Sequence, residues 1–107
     1  MYLARFSYDV RPADRQRAMD FIRREVAAAQ GAGLKGRLLV PLTRGQGGAA
    51  LQFEVELKSL DQLETLRQHG GETRPQDWMH AFAQVLTAPP MVELLRIDAP
   101  QPGGSAI

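Results

Sequence analysis

His69 and His80 are the only imidazoles in this chain, and cysteine is absent. Two histidines cannot make a three-histidine metal site. Without thiols there are no disulfides, thiolate nucleophiles or cysteine-ligated metals. No metal and no cofactor is expected. His69 lies beside Gly70-Gly71, where it could serve as acid or base near the lip of a cleft, or stand on a surface loop. His80 is two residues from Trp78, about 200° round a helix, so the pair should not share a face and His80 should be exposed. Tyr8 could offer its phenol to a ligand or pack with the hydroxyl at the core's edge. Trp78 could stack on a planar substrate or anchor its helix. Arg44, Arg74 and Arg96 could hold an acidic or enolate oxygen, or act as surface charges. Glu54 and Glu56 are two apart on a predicted strand and so share a face. Paired carboxylates can do acid–base chemistry, but pairing with Arg5 at a subunit interface is the expected role here. The run Arg44-Gly-Gln-Gly-Gly48 has a phosphate loop's glycine content. It lacks the Lys-Ser/Thr pair and leads into a strand, so that reading is rejected.

The elements that must position these residues follow from periodicity. The stretch from Ala49 organises the rest. Leu51, Phe53, Val55 and Leu57 alternate with Gln52, Glu54 and Glu56, which predicts a central strand. Ser59 and Gln62 have capping-box spacing, and Leu60, Leu63 and Leu66 follow at helical spacing. Earlier, Tyr2 to Val10 alternates as a first strand. Pro12 suits a first helical position, and Ala13 to Gln30 carries an apolar stripe of Ala18, Met19, Ile22, Val26 and Ala29. Gly31 and Gly33 stop that helix. Gly36 to Thr43 reads as a short strand, and Pro41 makes it an edge or bulged one. Residues 69–75 break the helical pattern, which resumes from about Pro75 to Leu86 and ends at Pro89-Pro90. Met91 to Ile97 is the last strand. A single domain over 1–98 and a flexible tail over 99–107 are expected.

The order is βαββαβ with an interrupted second helix. It predicts an α+β, ferredoxin-like plait: a four-stranded antiparallel sheet with helices on one face. The first and third strands should be central, with Tyr2, Ala4, Phe6 and Tyr8 facing the helices. The opposite face is mixed. Arg5, Ser7, Asp9, Gln52, Glu54 and Glu56 lie on its inner strands, while Leu39, Leu95 and Ile97 rim it. Solvent accounts for the charges but not for the leucines. A second subunit accounts for both, provided Arg5 pairs with Glu54 or Glu56.

At 107 residues there is room for one domain. The formal charge of +1 gives no general case for nucleic acid. Residues 1–47 carry nine Lys or Arg against four acids, and 48–107 carry four against eight. Much of the basic excess, Arg15, Arg17, Arg23 and Arg24, falls on the first helix and reads as a solvated face. No apolar run approaches a membrane span and no signal-peptide pattern opens the chain, so a cytoplasmic protein is expected.

These pieces, in this order, resemble the dimeric α+β barrel proteins and, within them, the NIPSNAP-like group. The likeness runs from Met1 to Asp98. It rests on the opening Met1-Tyr-Leu-Ala-Arg-Phe-Ser-Tyr8 strand, the Arg11-Pro12 helix entry, and Phe53-Glu-Val-Glu-Leu57 leading into Ser59-Leu-Asp-Gln-Leu-Glu64. The Trp78 helix and the closing Val92-Glu-Leu-Leu-Arg96 strand complete it. The resemblance implies a homodimer whose sheets pack together, and a pocket between sheet and helices in each subunit. It implies a range of activities, including cofactor-independent monooxygenases, haem-degrading enzymes and isomerases. For a cofactor-independent oxygenase or isomerase, Tyr8, Trp78 and His69 would orient a small planar substrate and move a proton. A haem enzyme would need an axial ligand, and neither histidine sits in a supporting motif. The alternative is a non-catalytic dimer that binds a small molecule or a protein partner.

Overall fold

The computed structural model describes residues 1–43, 50–64 and 76–98, the last stretch without the side chains of 76–79. Four strands form one sheet: β1 (Tyr2–Tyr8), β2 (Lys35–Leu39), β3 (Leu51–Leu57) and β4 (Met91–Arg96). Their order is β2-β3-β1-β4, every neighbour antiparallel, so β1 and β3 are central. A long helix, α1 (Arg15–Gly31), and a second, α2 (Gln76–Val85), lie on one face. This is the ferredoxin-like plait expected from the alternation of periods.

The core is the layer between sheet and helices. Ala4, Tyr8, Leu51, Phe53, Val55 and Leu57 come from the sheet, and Ala18, Ile22, Ala29, Phe82 and Val85 from the helices. Period-two burial on β3 is complete on this side, and Phe53, Leu51, Leu57 and Val55 are among the largest fully buried side chains. Burial of each such side chain contributes about 1.5–3 kcal/mol, which makes β3 the main anchor of the sheet.

α1 ends as its glycines predicted, by a specific device. Gly33 has φ of 78°, the left-handed conformation that glycine adopts without strain. Its N–H donates to the Gln30 carbonyl at 3.0 Å, and the Leu34 N–H donates to the Ala29 carbonyl at 2.9 Å. That is a Schellman cap, and the buried Leu34 closes it against the core. The turn delivers the chain straight into β2. There Gly36 lies so close to α1 that a Cβ would stand 3.0 Å from Ala29 Cβ and 3.2 Å from Phe53 Cε1. The helix therefore packs closely on β2 where that strand has no side chain.

Several boundaries differ from the sequence reading. β1 ends at Tyr8, and Val10 makes only an isolated bridge to Leu86. β2 spans Lys35–Leu39 and stops short of Pro41, which has no N–H to continue a ladder. Leu42, expected on the Leu38 face, is instead 97% exposed. A helical turn follows β3 at 61–64. Its cap is a variant of the expected box: the Gln62 N–H donates to the Ser59 carbonyl, but the Gln62 side-chain oxygen accepts from the Lys58 N–H instead of Ser59's own. The glycine run 44–49, the break at 65–75 and the tail expected over 99–107 lie outside the described residues.

Candidate functional site

The sheet face away from the helices is where the register assembles charge. Arg5 on β1 pairs with Glu54 on β3 and with Glu93 on β4, and Glu54 pairs with Arg37 on β2. One row across all four strands therefore reads Arg37–Glu54–Arg5–Glu93, alternating in sign. Above it lies Leu39–Gln52–Ser7–Met91, and below it Lys35–Glu56–Leu3–Leu95. Strands stand about 4.8 Å apart, close enough for such neighbours to bond.

Glu54 is the centre of this row. Arg5 donates to its Oε2 from Nε at 2.9 Å and from Nη2 at 2.8 Å. Arg37 Nη2 donates to the other oxygen, Oε1. Arg37 also lies 3.5 Å from Glu56 through Nη1. With an arginine on each side, Glu54 is only 3% exposed within a single chain, although neither of the described helices covers it. Burial pushes its carboxyl pKa up, but the hydrogen bonds from Arg37 and Arg5 outweigh that and hold it below the ordinary carboxylate value. The Glu54 hydrogen bond raises the Arg37 guanidinium above its usual value in turn. In the next row Gln52 donates to Ser7 Oγ at 3.2 Å. Leu39 and Leu95 are both half-buried at the rim. The expected Arg5–Glu54 pairing is present. Glu56 is held by Arg37 instead of Arg5, a partner the sequence reading had left out.

On the helix side, Tyr8 points inward and is 5% exposed. Its ring centre lies 5.1 Å from that of Phe82, tilted by 44°, and Phe82 stacks on Phe21 at 5.1 Å and 12°. Phe6 and Phe53 make a second ring pair at 5.5 Å. Three elements, β1, α1 and α2, thus supply a column of rings beneath the helical layer. His80 is exposed, as its offset from Trp78 implied. Arg96 is exposed and pairs with Tyr2, at the opposite end of β1 from Tyr8. Six residues of extended chain separate the two by about 20 Å, so Tyr8 and Arg96 do not share a site. Arg44, His69, Arg74 and the side chain of Trp78 lie outside the described residues.

A cleft of about 190 Å³ opens at the sheet end where β1 and β2 begin and β3 finishes, lined by Met1, Leu34, Lys35, Glu56, Lys58 and Gln62 among others. Sites for drug-sized ligands run to about 300–1,000 Å³, so this one suits a fragment. It gathers both lysines of the chain. Sequence reasoning singled out neither for a site, and only the register of Lys35 opposite Glu56 brings them together. Among the described residues, no cluster of three or more His, Cys, Asp or Glu could hold a metal, and no helix is long and apolar enough to cross a membrane.

No protein-family model and no curated protein matches this chain. Solved structures do. Rv0793 from Mycobacterium tuberculosis aligns with a TM-score of 0.68 and 16% identity over 94% of this chain and 98% of its own. A protein described as an antibiotic biosynthesis monooxygenase gives 0.66 and 15% over 92% and 100%. An uncharacterized NIPSNAP domain protein from Burkholderia xenovorans gives 0.62 and 12% over 92% and 96%. The chain shares the fold of these proteins across nearly its whole length.

Proposed function

We propose that two copies of this chain pack sheet face to sheet face, and that the pair acts as a cofactor-independent oxygenase or isomerase on a small planar organic molecule. The observation that carries the dimer is the compensated row at Glu54. A carboxylate held nearly dry by two arginines, on a face rimmed by half-buried leucines, suits contact with protein more than with water. The chemistry rests on fold analogy with the neighbour described as a monooxygenase. In this reading the ligand lies beneath the helices, and the Tyr8 phenol, at the inner end of the ring column, orients it and donates a hydrogen bond to its developing oxyanion. An activated CH₂ of the substrate would lose a proton to solvent and, as a carbanion or enolate, reduce O₂ directly, the carbon becoming a carbonyl and the second oxygen leaving as water; in the isomerase case a proton would return at a second carbon.

A second reading, a dimer that binds a partner without catalysis, is favoured by the ring column. Tyr8, Phe82 and Phe21 fill part of the layer where a substrate would lie. Oxygen uptake by the purified protein with hydroxylated aromatic substrates separates the two. Turnover that falls in Tyr8→Phe while the dimer persists supports the oxygenase. A dimer that neither consumes oxygen nor isomerises any of these substrates supports the second reading.

A further inference from the structure

The two lysines of the chain meet at the cleft at the sheet's end, and neither the charge row nor the ring column uses them. We infer that this cleft is a binding site for a small carboxylate, one ionised carboxyl group on a compact apolar body. The inference stands apart from the dimer and from the oxygen chemistry proposed above. The cleft lies where Tyr2 pairs with Leu57, the far end of β1 from Tyr8, so its occupant does not reach the ring column.

Three segments bring hydrogen-bond donors to it. Lys35 opens β2, in register with Glu56 on β3. Lys58 directly follows β3, and Gln62 stands in the helical turn beyond it. Neither lysine has an ion-pair partner among the described residues. Glu56 is the one acid in the lining, and its Oε1 lies 3.5 Å from Arg37 Nη1. The backbone orients Gln62: the Lys58 N–H donates to its Oε1 at 2.5 Å. Only the oxygen of an amide can accept from an N–H, so the Gln62 NH₂ is left as a donor. The side-chain acceptors are thus Glu56, drawn to Arg37, and a Gln62 oxygen already bonded. Two ammonium groups and an amide NH₂ call for acceptors on a ligand, and an ionised carboxylate gives them charge-assisted bonds. Met1, 56% exposed, adds apolar lining for the body together with Leu34 and Leu57. The cleft's volume of about 190 Å³ suits a body about the size of one ring. Its side chains set two positive charges against the single negative charge of Glu56, so a monoanion balances the site and a dianionic phosphate overshoots.

Nitrogen-15 NMR on the full chain at neutral pH, titrated with benzoate, tests the site. Saturable shifts are expected at the backbone N–H of Gly33, Lys35 and Lys58 and at the Gln62 side-chain NH₂. The dissociation constant should be about 1 mM, ordinary for a fragment of this size. Benzyl alcohol and benzylamine carry the same ring without the anion and should bind at least tenfold more weakly. Phenyl phosphate should bind no more tightly than benzoate. The double variant Lys35→Gln, Lys58→Gln changes two exposed side chains and should weaken benzoate at least tenfold. Gln62→Glu still accepts from the Lys58 N–H but sets a carboxylate where the NH₂ stood, and should weaken it at least fivefold. Benzoate that gives no saturable shift overturns the inference. So does benzyl alcohol or phenyl phosphate binding more tightly than benzoate, or wild-type affinity in both variants. Shifts confined to the surroundings of Tyr8 and Phe82 also overturn it, while supporting a ligand beneath the helices, so the two proposals fail separately.

Discussion

Replacing Glu54 by glutamine probes the sheet face at its most constrained point. The amide keeps the shape of the carboxylate but offers one acceptor oxygen and one NH₂ group. Arg5 donates to one oxygen of Glu54 and Arg37 to the other, so whichever way the amide turns, its NH₂ meets a guanidinium. Donor faces donor, two cations lose the charge between them, and one arginine lacks its acceptor. Hydrogen bonds to charged groups contribute about 1.5–3 kcal/mol each. Arg37 is half-exposed and recovers water, so its share is discounted heavily, whereas Arg5 is the more enclosed of the two. The expected net loss is about 2 kcal/mol, which for a domain of this size lowers the melting temperature by about 10 °C. Urea unfolding at neutral pH, at fixed protein concentration, measures it through the midpoint with the slope unchanged. Arg37→Gln should cost less than about 1 kcal/mol, because its head group is already wet. A Glu54→Gln protein within about 0.5 kcal/mol of wild type would refute the claim that this row holds the face together.

Other expectations follow from the same geometry. The Glu54 carboxyl pKa is lowered in the folded chain, so the native state binds fewer protons there than the unfolded one. Its stabilisation is complete above the unfolded value of about 4.3 and is lost as pH falls through the lower folded value. Urea midpoints should therefore drop below about pH 4, and less steeply in Glu54→Gln. Gly33→Ala forces a Cβ into φ of 78° at the helix cap and should cost about 1 kcal/mol by the same assay. Tyr8→Phe keeps the ring against Phe82 and should leave the melting temperature within a few degrees while cutting oxygenase turnover at least tenfold. Unchanged turnover would remove Tyr8 from the chemistry.

What could be read from the sequence was whatever repeats locally. Alternation in Leu51–Leu57 and Tyr2–Tyr8 showed which side of each central strand faces the helices, and Gly33 marked the helix end. What could not be read depends on register between distant segments. Arg37 lay inside the expected edge strand, 36–43, two residues before Leu39 and so on its face, but the pattern of one strand does not give the register that sets Arg37 opposite Glu54. Glu25, which the sequence reading did not single out, is buried on α1 beside Ala18, Ile22, Ala28 and Ala29, while Met19 and Val26 of the expected stripe are only partly buried. The ring column of Tyr8, Phe82 and Phe21 joins three elements far apart in the chain, and no local pattern announces such a meeting. The lysine cleft was hidden for the same reason.

The sheet-face dimer is most directly tested by sedimentation velocity on the wild-type chain at micromolar concentration, run beside Glu54→Arg. Three arginines in a line on the face would repel the partner and each other. The account predicts a single wild-type species of twice the chain mass, and dissociation to single folded chains in the variant. A wild-type protein that sediments as one folded chain, or a variant that stays as tightly paired as the wild type, would contradict it.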